Sequence, residues 1–282
     1  MSPKVWLITG CSSGFGGALV QEALSRGDAV IATARNPAKL SNLAAAGAST
    51  LALDVTAPLP TLKEIASQAF AIHNRIDYLV NNAGYSQTGG LEEITPEETQ
   101  AQFDTNVFGL LNVTRAVLPY MRKARSGVIA NISSVGAWNR YAGVGLYCAS
   151  KWAVSGLSES MNLELKEFGI KVCTVEPGYF RSNFLGSDAK KDRSGLIEDY
   201  EGTQVRKGEA LMEAYNGKQP GDIKKGAKVI VDTLTEKTGQ PVPLRLVIGK
   251  DAWQSIRGKC EEVIAVLDES KEVSWSTDLD NP

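Results

Sequence analysis

Tyr147 and Lys151 are the pair of side chains in this sequence best suited to proton transfer. They stand four residues apart in the stretch GVGLYCASKWAVSGL, residues 143–157. Residues four apart share one face of a helix, and a nearby ammonium group lowers the pKa of a tyrosine. The spacing therefore predicts a tyrosine that exchanges its proton near neutral pH. The alternative is a helix face with an ordinary solvated lysine, because so short a motif often occurs by chance.

A glycine-rich turn near the N-terminus is a second candidate site. The apolar run KVWLIT leads directly into TGCSSGFGGAL, with glycines at 10, 14 and 16. Glycines permit a tight turn and a close approach of the backbone to a pyrophosphate, which the amides of a helix N-terminus then bind. The turn predicts a dinucleotide site, the alternative being a purely structural turn. The residues of the predicted site are Gly10, Ser12, Ser13, Gly14, Phe15 and Gly16.

Arg35 indicates which nicotinamide dinucleotide this turn prefers. A carboxylate about 20 residues beyond the glycines usually binds the ribose diol of NAD(H). Here that region reads IATARNP, which has no carboxylate and offers the Arg35 guanidinium instead. A guanidinium pairs well with a 2′-phosphate, and Ser12 and Ser13 add hydroxyl donors. The sequence favours NADP(H) over NAD(H), unless Arg35 is merely solvated at a strand end.

Short apolar runs alternate with helical patterns along the chain, as in an α/β protein with a parallel sheet. The predicted strands are 4–9, 29–34, 49–54, 76–81, 127–133, 170–176 and 244–249. The predicted helices are about 15–26, 37–46, 60–74, 96–124, 146–168 and 222–236. The alternation predicts one doubly wound domain over residues 1–282, with a seven-stranded, mainly parallel sheet and helices on both faces. A polar insertion at about 183–220 is predicted to be a substrate lid, and a frayed tail is expected at about 268–282.

Composition excludes several classes of protein. The 282 residues include 30 basic and 32 acidic side chains, a balance that indicates no nucleic-acid partner. No apolar run is long enough for a signal peptide or a membrane span. The four cysteines lack metal-ligand spacing and His73 is the one histidine, so no metal site is expected. We therefore expect a cytoplasmic protein with reduced thiols.

Further motifs complete a pattern that resembles the classical short-chain dehydrogenases/reductases. Besides the glycine turn, Tyr147 and Lys151, these are NNAG at 81–84, NISS at 131–134 and EPG at 176–178, all in the same order. The likeness covers most of residues 4–182 and is greatest to the hydroxysteroid and retinol dehydrogenase branch. It implies a Rossmann fold and an NADP(H)-dependent interconversion of a carbonyl and a secondary alcohol. It also implies a homodimer or homotetramer, formed through the helices at about 112–124 and 146–168.

The resemblance implies a role for each matching residue. Tyr147 is expected to be the general acid in reduction and the base in oxidation. Lys151 is expected to lower the pKa of Tyr147 and to bind the nicotinamide ribose. Ser134, rather than Ser133, is expected to bind the substrate oxygen, and Asn106 to hold a water that links the lysine to solvent. Further cofactor contacts are implied for Tyr147 itself and for Asp54, Val55, Asn82, Ala83, Gly84, Pro177, Gly178, Phe180 and Ser182.

Aromatic and apolar residues are expected around the substrate, which is therefore predicted to be a medium-sized hydrophobic ketone or alcohol, such as a steroid, retinoid or polyketide. The candidate walls are Tyr85, Ser86, Gln87, Trp138, Tyr141, Tyr179 and Phe184. Two other functions stay open. One is a related enzyme that oxidises an alcohol with NAD or epimerises through a transient ketone. The other is a non-catalytic cofactor-binding regulator, against which an intact set of four catalytic residues argues.

Overall fold

A central sheet of seven parallel strands organises the described residues, 3–186 and 189–279, of the computed structural model. The strands in the described part are β1 (Val5–Ile8), β2 (Ala29–Ala34), β3 (Ser49–Ala52), β4 (Tyr78–Asn81), β5 (Ser86–Thr88), β6 (Gly127–Ile132), β7 (Ile170–Pro177), β8 (Lys190–Asp192) and β9 (Arg245–Ile248). The large sheet has the order β3-β2-β1-β4-β6-β7-β9, and β5 pairs with β8 in a separate small sheet. The predicted doubly wound fold is confirmed, with parallel pairing throughout the large sheet.

Helices cover both faces of the large sheet. They are α1 (Gly14–Ser25), α2 (Ser41–Ala45), α3 (Leu59–His73), α4 (Pro96–Phe103), α5 (Leu110–Ala124), α6 (Gly145–Leu165), α7 (Gln204–Tyr215), α8 (Ile223–Leu234) and α9 (Lys250–Trp275). Leu19 of α1 and Ile230 of α8 are buried on one face, whereas Val117 of α5 and Val154 of α6 are buried on the other. Burial of each such side chain contributes roughly 1.5–3 kcal/mol, which explains why the strands between them are continuously apolar.

The strand order reverses between β1 and β4, the two central strands. Chain segments that leave these strands diverge to opposite sides and open a crevice beyond their carboxyl ends. The glycine turn follows β1, and the NNAG segment begins in β4. The topology therefore brings the two predicted cofactor motifs to the same crevice.

One turn of π-helix interrupts the helix that the sequence predicts at 96–124. Thr95 and Glu98 form a capping box at the start of α4, and the π-helical turn Asp104–Gly109 separates α4 from α5. The wider turn inserts an extra residue and changes the direction of the side chains that follow. Asn106 lies inside this turn and is buried. The interruption therefore positions one of the predicted catalytic residues.

The polar insertion predicted as a lid contains regular structure that the sequence did not indicate. β8 pairs with β5, and α7 lies farther along the insertion. The Glu93 carboxylate, which has no exposed surface, forms ion pairs with Arg193 and Arg206 of the insertion. It also accepts a hydrogen bond of 3.0 Å from the Ile197 amide. The insertion is thus joined to the body of the protein, although its residues 187 and 188 lie outside the described part.

Helix α9 was not predicted and extends the described chain well beyond β9. Its first turns bury Ala252 and Ile256. The helix continues to Trp275, through the beginning of the tail that was expected to fray from about residue 268. Residues 280–282 of that tail lie outside the described part. In the ranges 3–186 and 189–279, no helix is long and apolar enough to cross a membrane.

Candidate active site

A cavity of about 520 Å³ opens beyond the carboxyl ends of the central strands. It brings together nearly all of the predicted site residues. Those that line it are Gly10, Ser12, Ser13, Gly14, Phe15, Arg35, Asp54, Val55, Asn82, Ala83, Gly84, Ser134, Tyr147, Lys151, Pro177, Gly178, Phe180 and Ser182. Gly16 and Asn106 lie behind the wall, where they support residues that face the cavity.

The glycine turn is shaped by backbone contacts that leave no room for side chains. Gly10 has a φ of 68°, and a Cβ atom there would lie 2.8 Å from the Ala83 Cα. A Cβ atom on Gly16 would lie 2.4 Å from the Gly10 carbonyl oxygen. These approaches let helix α1 begin directly against the end of β1. The result is a cradle of bare backbone at the bottom of the cavity.

The N-terminus of α1 supplies donors to this cradle. Ser13 precedes the helix in an extended conformation, and its side chain makes no capping hydrogen bond within the described chain. The first amides of a helix lack intrahelical partners and carry the positive end of the helix dipole. A pyrophosphate fits both the space and the charge. The residues present therefore suit a dinucleotide.

Thr9 and Asn82 join the NNAG segment to the glycine turn. The Asn82 Nδ2 group donates to the carbonyl oxygens of Thr9 and Gly10, at 2.9 and 3.0 Å. The Thr9 hydroxyl oxygen accepts from the amides of Asn82 and Ala83, both at 3.0 Å. Asn82 and Ala83 thus fix the cradle in place. Thr9 was missed by the sequence analysis, since a threonine at a strand end carries no distinctive signal.

One end of the cavity carries the groups predicted to contact the adenosine. Arg35 is exposed at the end of β2, and within the described chain no carboxylate pairs with it. Asp54 accepts a hydrogen bond of 3.0 Å from the Thr56 amide, and Val55 is buried beside it. The Arg35 guanidinium is therefore available to an anionic group bound in the cavity.

The opposite end is bordered by the segment after β7. A Cβ atom on Gly178 would lie 2.3 Å from the Asp251 carboxylate, so only glycine fits there. The same carboxylate accepts a hydrogen bond of 2.7 Å from the Tyr179 amide. Phe180 packs edge-on against Phe15 with ring centroids 5.0 Å apart. Asp251, in the first turn of α9, was missed because that helix was not predicted.

Ser182 ends this segment beside the predicted lid. Its hydroxyl oxygen accepts a hydrogen bond of 3.3 Å from the Phe184 amide. The ring of Phe184 lies 5.8 Å from that of Tyr147, measured between centroids. Ser182 therefore places an aromatic side chain over the predicted catalytic tyrosine.

Tyr147 and Ser134 form a hydrogen-bonded pair in the wall of the cavity. Burial raises the pKa of Tyr147 to about 12, and the hydrogen bond with Ser134 acts in the opposite direction. The Ser134 oxygen also accepts from the Gly136 amide at 3.0 Å. A Cβ atom on Gly136 would lie 3.3 Å from the Tyr147 ring. Gly136, which the sequence analysis missed, thus leaves space for the pair.

Ser133 points away from this pair. Its hydroxyl donates to the Lys151 carbonyl oxygen at 3.1 Å and lies 2.8 Å from the Ser155 hydroxyl. It is 2% exposed and held within the protein beneath helix α6. Of the two neighbouring serines, Ser134 is therefore the one with its hydroxyl beside the tyrosine.

The pKa of Tyr147 is raised, and not lowered as its spacing from Lys151 predicts. The Lys151 ammonium lies 5.7 Å from the centroid of the Tyr147 ring and donates to the Ile132 carbonyl oxygen at 2.8 Å. Burial lowers the pKa of Lys151 to about 8. Burial of the phenol outweighs the nearby cation. The expected lowering of the tyrosine pKa is therefore wrong for this structure, in which the pKa of Tyr147 is raised.

Asn106 connects several of these groups through its amide. Its Oδ1 accepts from the Tyr85 amide at 3.1 Å, and its Nδ2 donates to the Ser150 hydroxyl at 3.0 Å. Ser150 in turn donates to the Tyr147 carbonyl oxygen at 2.7 Å. A Cβ atom on Gly84 would lie 3.0 Å from Asn106 Oδ1 and 3.5 Å from Lys151 Nζ. Asn106 and Lys151 therefore meet at Gly84.

The part of the cavity beyond Tyr147 is mostly aromatic and apolar. The predicted walls found there are Tyr85, Ser86, Tyr141, Tyr179 and Phe184, and the insertion adds Leu185 and Met212. Gln87 and Trp138 do not line the cavity. The Trp138 indole donates to the buried Glu176 carboxylate at 3.0 Å. Gln87 is 2% exposed, with its amide bonded to Gln102.

Comparisons with known proteins agree with this geometry. The profile of a family described as short chain dehydrogenase matches residues 4–193. Oxidoreductase BOA17 of Botryotinia fuckeliana is 37% identical over 270 residues, which cover 94% of this chain and 96% of that protein. A 3-ketodihydrosphingosine reductase of Bacteroides thetaiotaomicron is 41% identical over 221 residues, 78% of this chain and 80% of its own. A solved short-chain dehydrogenase from Streptomyces avermitilis is 41% identical with a TM-score of 0.89, covering 99% of this chain and 100% of its own.

Proposed function

Because this chain belongs to the short-chain dehydrogenase/reductase family, we propose that it uses NADPH to reduce the carbonyl of a medium-sized hydrophobic ketone to a secondary alcohol. The family assignment makes the protein an oxidoreductase with a nicotinamide cofactor. The direction of the reaction, the choice of NADPH and the class of substrate are our inferences from the site.

The observation that carries the proposal is the hydrogen-bonded pair of Tyr147 and Ser134 in the cavity wall. Burial raises the pKa of Tyr147 to about 12, so the phenol holds its proton at neutral pH. A protonated phenol is the form needed to deliver a proton to an oxygen. The pair therefore suits reduction of a carbonyl, and the same phenol would act as the base in the reverse oxidation; the inferred preference for NADPH is what favours reduction.

The chain's own residues perform the proton transfer and position the substrate. When bound, the nicotinamide supplies the hydride. The hydroxyls of Ser134 and Tyr147 donate hydrogen bonds to the substrate oxygen, on which negative charge develops, and such preorganised donors stabilise the transition state. Tyr147 then transfers its proton to that oxygen. Lys151 stabilises the phenolate left behind, and its pKa of about 8 keeps it largely charged at neutral pH.

The cofactor would be held by groups at both ends of the cavity. The bare cradle at Gly10 and the amides of α1 suit the pyrophosphate. The segment from Pro177 to Ser182, which lines the cavity, would border the nicotinamide. Arg35, exposed and without a carboxylate partner in the described chain, favours a 2′-phosphate at the other end. These features support NADP(H), with NAD(H) as the alternative.

The walls beyond Tyr147 support a hydrophobic substrate. Tyr141, Tyr179, Phe184, Leu185 and Met212 surround the space next to the catalytic pair. Apolar walls with a few polar groups are typical of sites for hydrophobic small molecules. One relative in the comparisons is named as a reductase of 3-ketodihydrosphingosine, which is consistent with a ketone. Oxidation of an alcohol with NAD, or epimerisation through a ketone, is the alternative reaction.

Binding of NADPH and NADH to the wild-type protein and to Arg35→Asp, measured by calorimetry, tests the choice of cofactor. We expect NADPH to bind at least about tenfold more tightly than NADH, and the variant to lose or reverse this preference. Arg115→Asp is the control, because Arg115 is equally an exposed arginine but lies on helix α5, outside the cavity lining. Equal affinities in the wild type would place Arg35 in solvent and favour NAD-dependent oxidation.

A further inference from the structure

Glu176 is a buried carboxylate that the proposed reaction does not use. It belongs to the EPG motif at 176–178, lies near the end of β7 and has no exposed surface. Its neighbours Pro177 and Gly178 line the cavity, whereas the Glu176 side chain lies behind the cavity wall. A buried charge is tolerated where hydrogen bonds and an opposite charge compensate its loss of water. The partners of this carboxylate therefore indicate its role.

Donors from three different segments meet the carboxylate. Ser155 of α6 donates to its Oε1 at 3.1 Å, and the Trp138 indole donates to its Oε2 at 3.0 Å. Arg245 of β9 forms an ion pair with it and donates to Glu159 at 2.9 Å. The Arg245 guanidinium also lies over the Trp138 ring, 4.8 Å from its centroid. Trp138 is thus held both at its indole nitrogen and on one face of its ring.

Two of these donors fix the chain on either side of Ser134. The Ser155 hydroxyl lies 2.8 Å from the Ser133 hydroxyl, which directly precedes Ser134 in the chain. Trp138 directly follows the 3₁₀ turn Val135–Ala137, which Ser134 caps. The segment 133–138 is therefore tied to one carboxylate at both of its ends.

The hydrogen bond that Ser134 accepts within this segment does not anchor the segment to the rest of the protein. Its oxygen accepts from the amide of Gly136, two residues farther along the same turn. Donors to a developing negative charge act well only when they are held within about 0.5 Å of their productive position. The placement of Ser134 therefore depends on what holds the ends of its segment.

We propose that Glu176 is a positioning residue, whose carboxylate fixes this segment so that the hydroxyl of Ser134 stays beside Tyr147. The inference rests on the proposed function, in which these two hydroxyls bind the substrate oxygen. Glu176 itself touches neither the substrate nor the cofactor and acts through Ser134.

A carboxylate suits this role better than an amide of the same size. Both of its oxygens are acceptors, whereas a glutamine offers one acceptor oxygen and one NH₂ donor. If the glutamine oxygen faces Ser155 and Arg245, its NH₂ group meets the Trp138 N–H. If the amide is turned over, its NH₂ group meets Arg245 instead. Glu176→Gln therefore keeps the volume of the side chain and sets donor against donor in either orientation.

A double-mutant cycle in kcat tests whether Glu176 acts through Ser134. The probe reaction is NADPH-dependent reduction of 1-phenylhexan-1-one, a hydrophobic ketone. We expect Ser134→Ala to lower kcat about a hundredfold and Glu176→Gln to lower it about tenfold. The double variant should have the kcat of Ser134→Ala alone. Losses that multiply in the double variant would overturn the proposal, because Glu176 would then act independently of Ser134.

Glu159→Gln is the matched control for this cycle. Glu159 is likewise a carboxylate bonded to Arg245, but its side chain is 46% exposed. It should leave kcat unchanged, and both glutamine variants should bind NADPH as the wild type does, by calorimetry. Equal losses of kcat in the two variants would assign the effect to Arg245 and overturn the proposal.

Nuclear magnetic resonance of Tyr147 provides a second test that requires no turnover. The ¹³Cζ resonance of Tyr147 in protein with labelled tyrosine is identified by its absence in Tyr147→Phe. It should shift in the same direction in Ser134→Ala and in Glu176→Gln, and it should stay in place in Glu159→Gln. A resonance unmoved in Glu176→Gln would overturn the proposal. A wild type that reduces no ketone but shows these shifts would overturn the proposed function and leave the positioning role supported.

Trp138→Phe replaces Glu176→Gln if the latter does not fold. The phenylalanine keeps a ring under Arg245 and removes only the indole donor to the carboxylate. We expect a smaller shift of the Tyr147 resonance in the same direction, because one of the two anchors of the segment is lost. An unchanged resonance in this variant would equally overturn the proposal.

Discussion

Two regions of the cavity are built on different physical principles. The floor, formed by the glycine turn 10–16 and the segment 81–84, depends on approaches of backbone to backbone at which a Cβ atom does not fit. The roof, formed by the insertion 183–220, depends on charged side chains that meet Glu93. The floor therefore leaves no space for a methyl group at Gly10 or Gly16, whereas the roof is held in part by the charge of one carboxylate. This difference suits a cofactor that is common to the family and binds at the floor, and a substrate that is particular to this protein and binds under the roof.

Tyr147→Phe should have the largest effect, because Tyr147 lies where the floor and the roof meet. Removal of the phenolic proton should lower kcat by about 10²–10⁴-fold, as expected for the loss of a general acid. NADPH affinity should change little, since the floor is untouched. Stopped-flow turnover and calorimetry measure the two quantities. Turnover within tenfold of the wild type would contradict the assigned role of the phenol.

Gly16→Ala should damage the floor alone. The added Cβ would lie 2.4 Å from the Gly10 carbonyl oxygen and 2.6 Å from Nδ2 of the Asn82 side chain. Overpacking of this kind costs about 1–3 kcal/mol, so we expect a lower melting temperature and NADPH affinity reduced at least about tenfold.

Gly17→Ala is the matched control for this variant. Its Cβ would lie 3.3 Å from the Cys11 carbonyl oxygen, and alanine favours the helix. It should therefore bind NADPH nearly as the wild type does. Equal losses in both variants would show that general weakening of α1, rather than the close approach at Gly16, is responsible.

Glu93→Gln should loosen the roof and leave the floor intact. The amide keeps the shape of the side chain but leaves Arg193 and Arg206 without their central carboxylate. We expect proteolysis within 183–220 to become roughly tenfold faster and KM for the ketone to rise. Calorimetry should give an unchanged NADPH affinity. Glu92→Gln is the control, because Glu92 is exposed and the hydrogen bond that it accepts from the Tyr200 hydroxyl can equally be accepted by the glutamine oxygen.

Lowering the pH should also loosen the roof, and it should do so gradually. The hydrogen bond from Arg206 is the largest cause that holds the pKa of Glu93 at about 2, below its ordinary value of 4.5. A carboxyl group whose pKa is lowered by folding stabilises the folded protein at pH values above its ordinary pKa. This contribution is lost as the pH falls from about 4.5 towards about 2. The rate of amide hydrogen exchange in 183–220 should therefore increase over this pH range, after correction for intrinsic rates. The increase should be smaller in Glu93→Gln.

The floor could be predicted from the sequence because its signals are local. Glycines at fixed spacing after an apolar strand have few physical explanations, and most of the seven strands appear as near-continuous apolar runs. Tyr147 and Lys151 were singled out by their helical spacing, and the resemblance to the family gave them their roles. The direction in which the pKa of Tyr147 shifts was not predicted correctly. Spacing indicates that two groups are near each other but not how deeply they are buried.

The roof and α9 could not be predicted in the same way. Glu93 occurs in the segment LEEITPEETQ, where it looks like its solvated neighbours until the fold brings Arg206 to it. Asp251 likewise supports the Gly178 turn from a distant part of the sequence, 72 residues beyond Tyr179. Helix α9 has few residues packed on its own protein, so its periodicity does not resemble that of a core helix. Each of these features arises from contacts between distant segments.

The position of β9 has a consequence for the order in which the chain folds. Arg245 of β9 pairs with Thr174 of β7 across the whole insertion that forms the roof. Closure of so long a loop is slow, because its entropy cost precedes the contacts that compensate it. The six strands of the large sheet that precede the insertion can associate without it. We therefore expect refolding in two kinetic phases, with a nucleotide-competent intermediate first and the docking of β9, α8 and α9 afterwards.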